Sequence, residues 1–336
     1  MRDLLADFDR LRAGGPVGRG VVTSVWGSAP RPEGACLLAT ADGGVAGSVS
    51  GGCVEAALAE EIVAALTRGT PRLVRYGVTD ERAWEVGLAC GGTIEVLVQP
   101  SVPDAVVAAA RGPGGVVVAW PLEGDDPGMP IVVHEAEDAR GAPLVSAALE
   151  ALRSQRSRTA RVPFPAGEAP VFFEVFPRPP RLVIVGGVHV AAALVPMARA
   201  LGYRTCVVDG RPAFLTRERF PDADELVHGW PEEAFARIGL DSATYVCVLT
   251  HDPKFDDPAL MLALRSPAAY VGVLGSRKTQ GARRTRLRHA GLTDEEIARL
   301  HGPIGLDLGG RGPAETALEI LAEMTAVRYG KEPAAI

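Results

Sequence analysis

Beyond Arg181 the chain repeats one pattern: a short run of consecutive apolar residues, a helical periodicity, then another run. Leu182-Val183-Ile184-Val185 and Tyr245-Val246-Cys247-Val248-Leu249 show no polar alternation. A strand without a polar face has to be covered on both sides, which is the signature of a buried parallel sheet. The spacing predicts strands at 182–185, 205–209, 224–228, 244–250 and 270–274 with helices between them. That alternation admits a Rossmann-like, doubly wound domain whose ligand crevice opens at the carboxyl ends of the strands. Four polar clusters fall at those ends: Gly186-Gly187-Val188-His189, Asp209-Gly210-Arg211, His251-Asp252 and Gly275-Ser276-Arg277-Lys278.

The first half reads differently. An amphipathic helix to about Leu11 precedes strands at Val17–Trp26, Cys36–Thr40, Val45–Val49, Arg72–Tyr76 and Thr93–Val98, with weaker strands at Gly115–Trp120 and Pro130–His134. Ala41-Asp42-Gly43-Gly44 is a hairpin turn between two of them. From Arg153 to Pro180 the chain is Pro-rich and dotted with arginine, with Val171–Phe176 as its one strand-like piece. We place the linker at Pro177-Arg178-Pro179-Pro180. The expected organisation is an N-terminal α+β domain over 1–176 and a Rossmann-like domain over 181–336.

Chemistry concentrates in glycine turns. Gly47-Ser48-Val49-Ser50-Gly51-Gly52-Cys53-Val54-Glu55 runs from a strand through a Gly-Gly pair into an Ala-rich helix extending from Val54 to about Arg68. The spacing predicts Ser50 as helix cap, Cys53 in the first turn, and unpaired backbone N–H groups facing a ligand. Cys90-Gly91-Gly92 repeats the Cys/Gly combination, and Arg31 sits on a stiff loop between Pro30 and Pro32. The same residues also suit two tight turns with buried cysteines, but two such turns in one half favour a site. A third cradle is Pro303–Thr316, where Gly309, Gly310, Arg311 and Asp307 precede a helix from Ala314 to about Arg328.

The first turn of the second half approaches the dinucleotide fingerprint but has Val188 where the second glycine lets a pyrophosphate approach the backbone. Asp209 is placed for a ribose hydroxyl, and Ser276, Arg277 and Lys278 for a phosphate. Most of the six basic residues from Arg277 to Arg288 read as a solvated helix face. Cys206 and Cys247 lie inside apolar strands and read as inert core residues. A net charge of −6 argues against general nucleic-acid binding. Five cysteines without a C-x-x-C pair or zinc spacing, behind a charged amphipathic N-terminus, point to a reducing cytoplasm and to no metal site. The longest apolar run, Leu182–Ala198, is interrupted by glycine, histidine and proline and does not read as a membrane span. No Ser-His-Asp ordering, P-loop or metal-binding histidine pair occurs.

Gly27-Ser28-Ala29-Pro30-Arg31, the Gly47–Glu55 stretch and Cys90-Gly91-Gly92 resemble the first domain of the XdhC/CoxI family. Val207-Val208-Asp209-Gly210-Arg211, Leu249–Lys254, Gly272–Lys278 and Ile304–Arg311 are similar to its Rossmann-like second domain, with Gly186-Gly187-Val188-His189 in place of the family's Gly-x-Gly-His and Gly312 where Thr is common. The resemblance covers nearly the whole chain. It implies a maturation factor that binds molybdenum cofactor, of molybdopterin type with or without a cytidine diphosphate tail, assists exchange of an oxo for a sulfido ligand, and delivers the cofactor to a xanthine dehydrogenase-type hydroxylase. It implies the apoenzyme as partner, allows for a cysteine desulfurase, and suggests a homodimer. It gives Cys53 or Cys90 a purpose as a soft ligand or persulfide carrier. The site expected from these readings comprises Arg31, Ser50, Gly51, Gly52, Cys53, Glu55, Cys90, Gly91 and Gly92 in the first domain. In the second it comprises Gly186, Gly187, His189, Asp209, Arg211, His251, Asp252, Ser276, Arg277, Lys278, Asp307, Gly309, Gly310 and Arg311. The rival readings are an NAD(P)-dependent oxidoreductase, which Val188 disfavours, and a docking scaffold without a cofactor, which the Gly-Cys turns disfavour.

Overall fold

The computed structural model describes residues 1–77, 91–123, 129–140, 142–165 and 167–331; Cys90 lies outside them. The chain divides into two compact units, Met1–Arg178 and Pro179–Ile336.

Unit 1 is built on two antiparallel sheets. Strands β1 (Val17–Trp26), β2 (Cys36–Thr40), β3 (Val45–Gly47), β4 (Arg72–Tyr76) and β5 (Thr93–Gln99) form the first, in the order β3-β2-β1-β5-β4. Strands β6 (Val116–Pro121), β7 (Ile131–His134), β8 (Arg158–Phe164) and β9 (Gly167–Phe176) form the second, in the order β7-β6-β9-β8. The two-residue side-chain period sorts each strand between two cores. In the first sheet Val22, Leu37, Ala39, Ile94, Val96 and Val98 pack on Leu58, Ile62 and Ala65 of helix α2 (Glu55–Arg68). Their neighbours Val21, Cys36, Leu38 and Leu97 share a core with Val118, Trp120, Phe172 and Phe176 of the second sheet. Helices α1 (Leu5–Arg12) and α3 (Asp104–Arg111) close that core. Val117, Ala119, Val171 and Phe173 face the opposite way, onto helix α4 (Pro143–Ser154). Both faces of both sheets are therefore covered.

Helices α3 and α4 and strand β8 occupy stretches in which the sequence reading places no element. Strand β8 is an edge strand that tolerates Pro163; Ala160, Val162 and Phe164 alternate onto the α4 core, but only Val162 is fully buried and the surrounding prolines read as strand breakers.

Unit 2 holds six parallel strands: β10 (Arg181–Val185), β11 (Arg204–Asp209), β12 (Glu225–His228), β13 (Thr244–Val248), β14 (Tyr270–Val273) and β15 (Leu300–His301). Their order is β12-β11-β10-β13-β14-β15, so the chain reverses direction of growth between β10 and β13. Helices α5 (His189–Ala200) and α10 (Pro313–Arg328) cover one face through Leu194, Val195, Ala198, Ile320 and Met324. Helices α6 (Pro231–Ile238), α7 (Pro253–Arg265), α8 (Arg277–His289) and α9 (Asp294–Ala298) cover the other. Cys206 and Cys247 are buried in this core, and burial pushes the Cys206 thiol up to about 12. The Cys247 thiol is raised further by the same desolvation. Among the described residues no helix is long and apolar enough to cross a membrane.

Candidate functional site

The Gly-Gly-Cys turn forms an anion cradle, and the chain fills it itself. Glu55 Oε1 accepts from Ser48 Oγ at 2.7 Å, Ser50 N at 2.9 Å, and Val49 N and Gly51 N at 3.1 Å. Its Oε2 accepts from Ser50 Oγ at 2.5 Å, Gly52 N at 2.8 Å and Val54 N at 3.2 Å. Partial burial opposes the charge; the hydroxyl and backbone donors overcome it and hold this carboxyl at about 2. The expectation of N–H groups free for a ligand is thereby corrected: successive amides turned inward by left-handed glycines (Gly51 φ +79°, Gly52 φ +125°) need an anion, and Glu55 is the nearest one. The capping expectation is corrected with it. Helix α2 begins at Glu55, so Cys53 precedes it, exposed on the loop tip, and Ser50 Oγ accepts from Val54 N at 3.1 Å without being the terminal cap.

A second loop meets this turn, and a third packs on that second loop. A Cβ on Gly51 would stand 3.6 Å from Pro30 Cβ, which places the loop of exposed Arg31 beside the Gly-Gly-Cys turn. A Cβ on Gly92 would come within 2.2 Å of the Ser28 carbonyl oxygen, so Gly91-Gly92 packs tightly on the same loop. Trp26, which the sequence reading passed over, ends β1 at this corner. It is 44% exposed, with the Arg75 guanidinium carbon 4.4 Å from its ring centroid.

Unit 2 carries a cavity of about 680 Å³ at the carboxyl ends of β10, β11, β12 and β13. It is lined by Val188, Asp209, Arg211, Trp230, His251, Asp252 and neighbours. Gly186 (φ +111°) and Gly187 start the turn; a Cβ on them would meet Thr250 Cγ2 at 2.5 Å and the Phe214 carbonyl oxygen at 2.3 Å. Both glycines thus answer to packing against neighbouring loops. Asp209 is not open for a ribose. Its Oδ2 accepts from Gly187 N at 2.7 Å and Arg211 Nη2 at 2.9 Å, and its Oδ1 from Arg211 N at 2.8 Å and Nε at 3.0 Å. Burial opposes ionisation there, and the arginine and backbone donors hold the carboxyl below its usual range. His189 opens helix α5 and is exposed. Asp252 caps α7 by accepting from Lys254 N at 3.0 Å, and His251 stands exposed beside it.

Most of the remaining predicted residues are also committed locally. Ser276 caps α8 through Thr279 N at 3.3 Å, Arg277 pairs with Asp307 at 3.1 Å, and Lys278 is exposed. In the Gly309-Gly310-Arg311 loop, Gly310 N donates to Glu319 Oε1 at 2.9 Å, while Arg311 N and Gly312 N donate to Glu315 Oε2 at 2.9 and 2.8 Å. The basic helix α8 is no free face either: Arg283 pairs with Asp256, Arg286 with Asp257 and Arg288 with Asp294. The sequence reading missed Glu315, Glu319, Trp230 and Phe255. Glu315 carries a signal, a glutamate three residues after Gly312, as in a capping box, whereas Glu319 carries none. The aromatic pair carries none.

Residues 10–77 match the sequence model of the XdhC and CoxI family, and residues 182–324 match that of the XdhC Rossmann domain. The chain is 29% identical to the molybdenum cofactor insertion chaperone PaoD of Escherichia coli (strain K12) over 327 residues, 94% of this chain and 86% of the relative. It is 26% identical to a probable xanthine dehydrogenase subunit of Bacillus subtilis (strain 168) over 315 residues, 91% and 92% of the two chains. It is also 26% identical to an uncharacterized protein, YqeB, of E. coli (strain K12) over 306 residues; this is 90% of the chain but 42% of that protein's length. A crystal structure described as a xanthine dehydrogenase from Bacillus halodurans shares the fold, with a TM-score of 0.73 at 24% identity over 100% of this chain and 98% of that one. The family's two sequence models fall on the two structural units in order, and the chain belongs to the XdhC and CoxI family.

Proposed function

We propose that the protein is a maturation chaperone that receives molybdenum cofactor as cargo, assists its sulfuration and hands it to a xanthine dehydrogenase-type apoenzyme. The observation that carries this reading is an exposed thiol, Cys53, at the tip of a glycine loop braced from behind by Glu55 in a chain of this family. The names of two relatives, a cofactor insertion chaperone and a xanthine dehydrogenase subunit, support the choice of cargo and recipient. Bound cofactor would supply molybdenum with an exchangeable oxo or sulfido ligand, and a cysteine thiolate is a soft ligand suited to that metal or to a persulfide. The residues fit this cargo unevenly. The exposed thiol suits it, while the two amide cradles are filled by Glu55 and by Glu315 with Glu319, and so do not serve its phosphate.

Co-expression with the cofactor pathway, anaerobic purification and fluorescence detection of oxidised pterin tests the reading. Wild type is expected to retain pterin, and Cys53→Ala to lose most of it while melting at the wild-type temperature. Full retention and full activation of a partner hydroxylase by Cys53→Ala would remove the role given to this thiol.

A further inference from the structure

The unit 2 cavity has a mouth lined by Trp230, Arg211 and Asp209. Trp230 is 51% exposed and stands 5.3 Å, ring to ring, from buried Phe255. A bare indole in a cavity of this size suits a planar heterocycle. The lining comes from the ends of β10, β11, β12 and β13, on both sides of the point where strand order reverses, and Val188 puts a branched side chain where a pyrophosphate would cross. A cavity of about 680 Å³ with that crossing obstructed suits one mononucleotide-sized ligand.

Asp209 accepts four hydrogen bonds, about the full capacity of a carboxylate, and three of them come from Arg211. The Arg211 side chain is nevertheless 53% exposed, with its guanidinium carbon 4.1 Å from the Phe214 ring centroid. A guanidinium stacked on a ring at a cavity mouth can turn outward without losing its support. Asp252, the other carboxylate on the rim, already accepts from the Lys254 amide.

We propose that Arg211 is a latch that selects nucleoside 5′-phosphates: the heterocycle stacks on Trp230, the phosphate draws Arg211 off Asp209, and the ribose hydroxyls take the acceptor positions that Arg211 vacates. A phosphate competes for arginine because it accepts the same two-pronged bond with more charge. A nucleoside without phosphate finds Asp209 closed. The latch stands apart from the cofactor reading, since a free nucleotide and the nucleotide tail of a cytidylated cofactor present the same chemistry.

Calorimetric titration of the full chain with CMP, AMP, cytidine and adenosine at fixed salt tests the latch. Wild type is expected to bind the monophosphates about tenfold or more tightly than the nucleosides. Arg211→Ala should collapse that ratio while nucleosides bind as well or better, because Asp209 is then open. Trp230→Leu should weaken nucleotide and nucleoside alike. Arg211→Lys, which keeps the charge but not the fork, should give an intermediate ratio and serves if the alanine variant melts early. Preference for CMP points to a cofactor tail and preference for AMP to a free nucleotide; either supports the latch. Absence of nucleotide binding at millimolar concentration, or a phosphate preference that survives both arginine variants, overturns it. Pterin retention without nucleotide binding would sink the latch and leave the chaperone reading standing.

Discussion

Glu55 shows how one side chain decides what a glycine turn is for. Val49, Ser50 and Val54 are buried, so their amides have no ready water, and the Glu55 carboxylate is the acceptor that satisfies them. Glu55→Gln keeps the shape but turns an NH₂ towards donors, and is expected to cost about 2–3 kcal/mol in urea unfolding. The pH dependence has a definite sign. Glu55 is held at about 2 against an ordinary 4.5, so its contribution is complete above the unfolded value and is lost as pH falls from about 4.5 to about 2. The stability difference between wild type and Glu55→Gln should narrow across that window, and a constant difference would show that the charge is not what holds the loop. Exposure makes a second forecast at this scale: native maleimide labelling in a Cys90→Ala background should modify Cys53 and spare buried Cys36, Cys206 and Cys247. Peptide mass mapping reads the result, and equal labelling of all four would contradict the loop placement.

Among elements, the strands were legible in the sequence because burial writes itself as alternation or as unbroken apolar runs, and both periods survive in β1, β2, β10 and β13. Strand β8 was hidden because its short alternation, Ala160, Val162 and Phe164, lies among Pro163, Pro165 and Pro170, which read as breakers. The glycine turns were legible as turns, but their occupants were not. Whether an amide faces solvent or a carboxylate depends on how the following helix closes back, as with Glu55 and Glu315, or on what the neighbouring strand brings up, as with Asp209 at the end of β11. The buried pair between the two sheets of unit 1 was equally silent: Arg19 and Glu174 meet at 2.7 Å with 0% and 4% of their side chains exposed, and Trp120 Nε1 donates to Glu174 at 3.2 Å. Arg19→Met strands Glu174 inside an apolar layer and is expected to cost about 3–5 kcal/mol by denaturant titration. At the first turn of unit 2, Val188→Gly should improve NADH binding if it changes it at all. Micromolar NADH binding by the unmodified protein, followed by nicotinamide fluorescence, would show that Val188 does not bar a dinucleotide.

At the scale of the whole molecule, the cores are segregated. Every residue of the two cores flanking the parallel sheet lies beyond Pro179, and every residue of the three cores around the antiparallel sheets lies before it. All residues lining the nucleotide-sized cavity likewise belong to the second unit, whereas the exposed Cys53 belongs to the first. A unit of this size with covered sheet faces on both sides has what an independent domain needs. We expect residues 179–336, expressed alone, to unfold in one cooperative transition by calorimetry and circular dichroism. The fragment should keep the nucleotide affinities of the full chain within about a factor of three, a difference of less than 1 kcal/mol. It should retain no pterin, because the thiol assigned to the cargo is absent. A fragment that melts without cooperativity would mean that the second core depends on the first unit. A fragment that folds and still holds pterin would move the cargo site from Cys53 to the parallel-sheet unit.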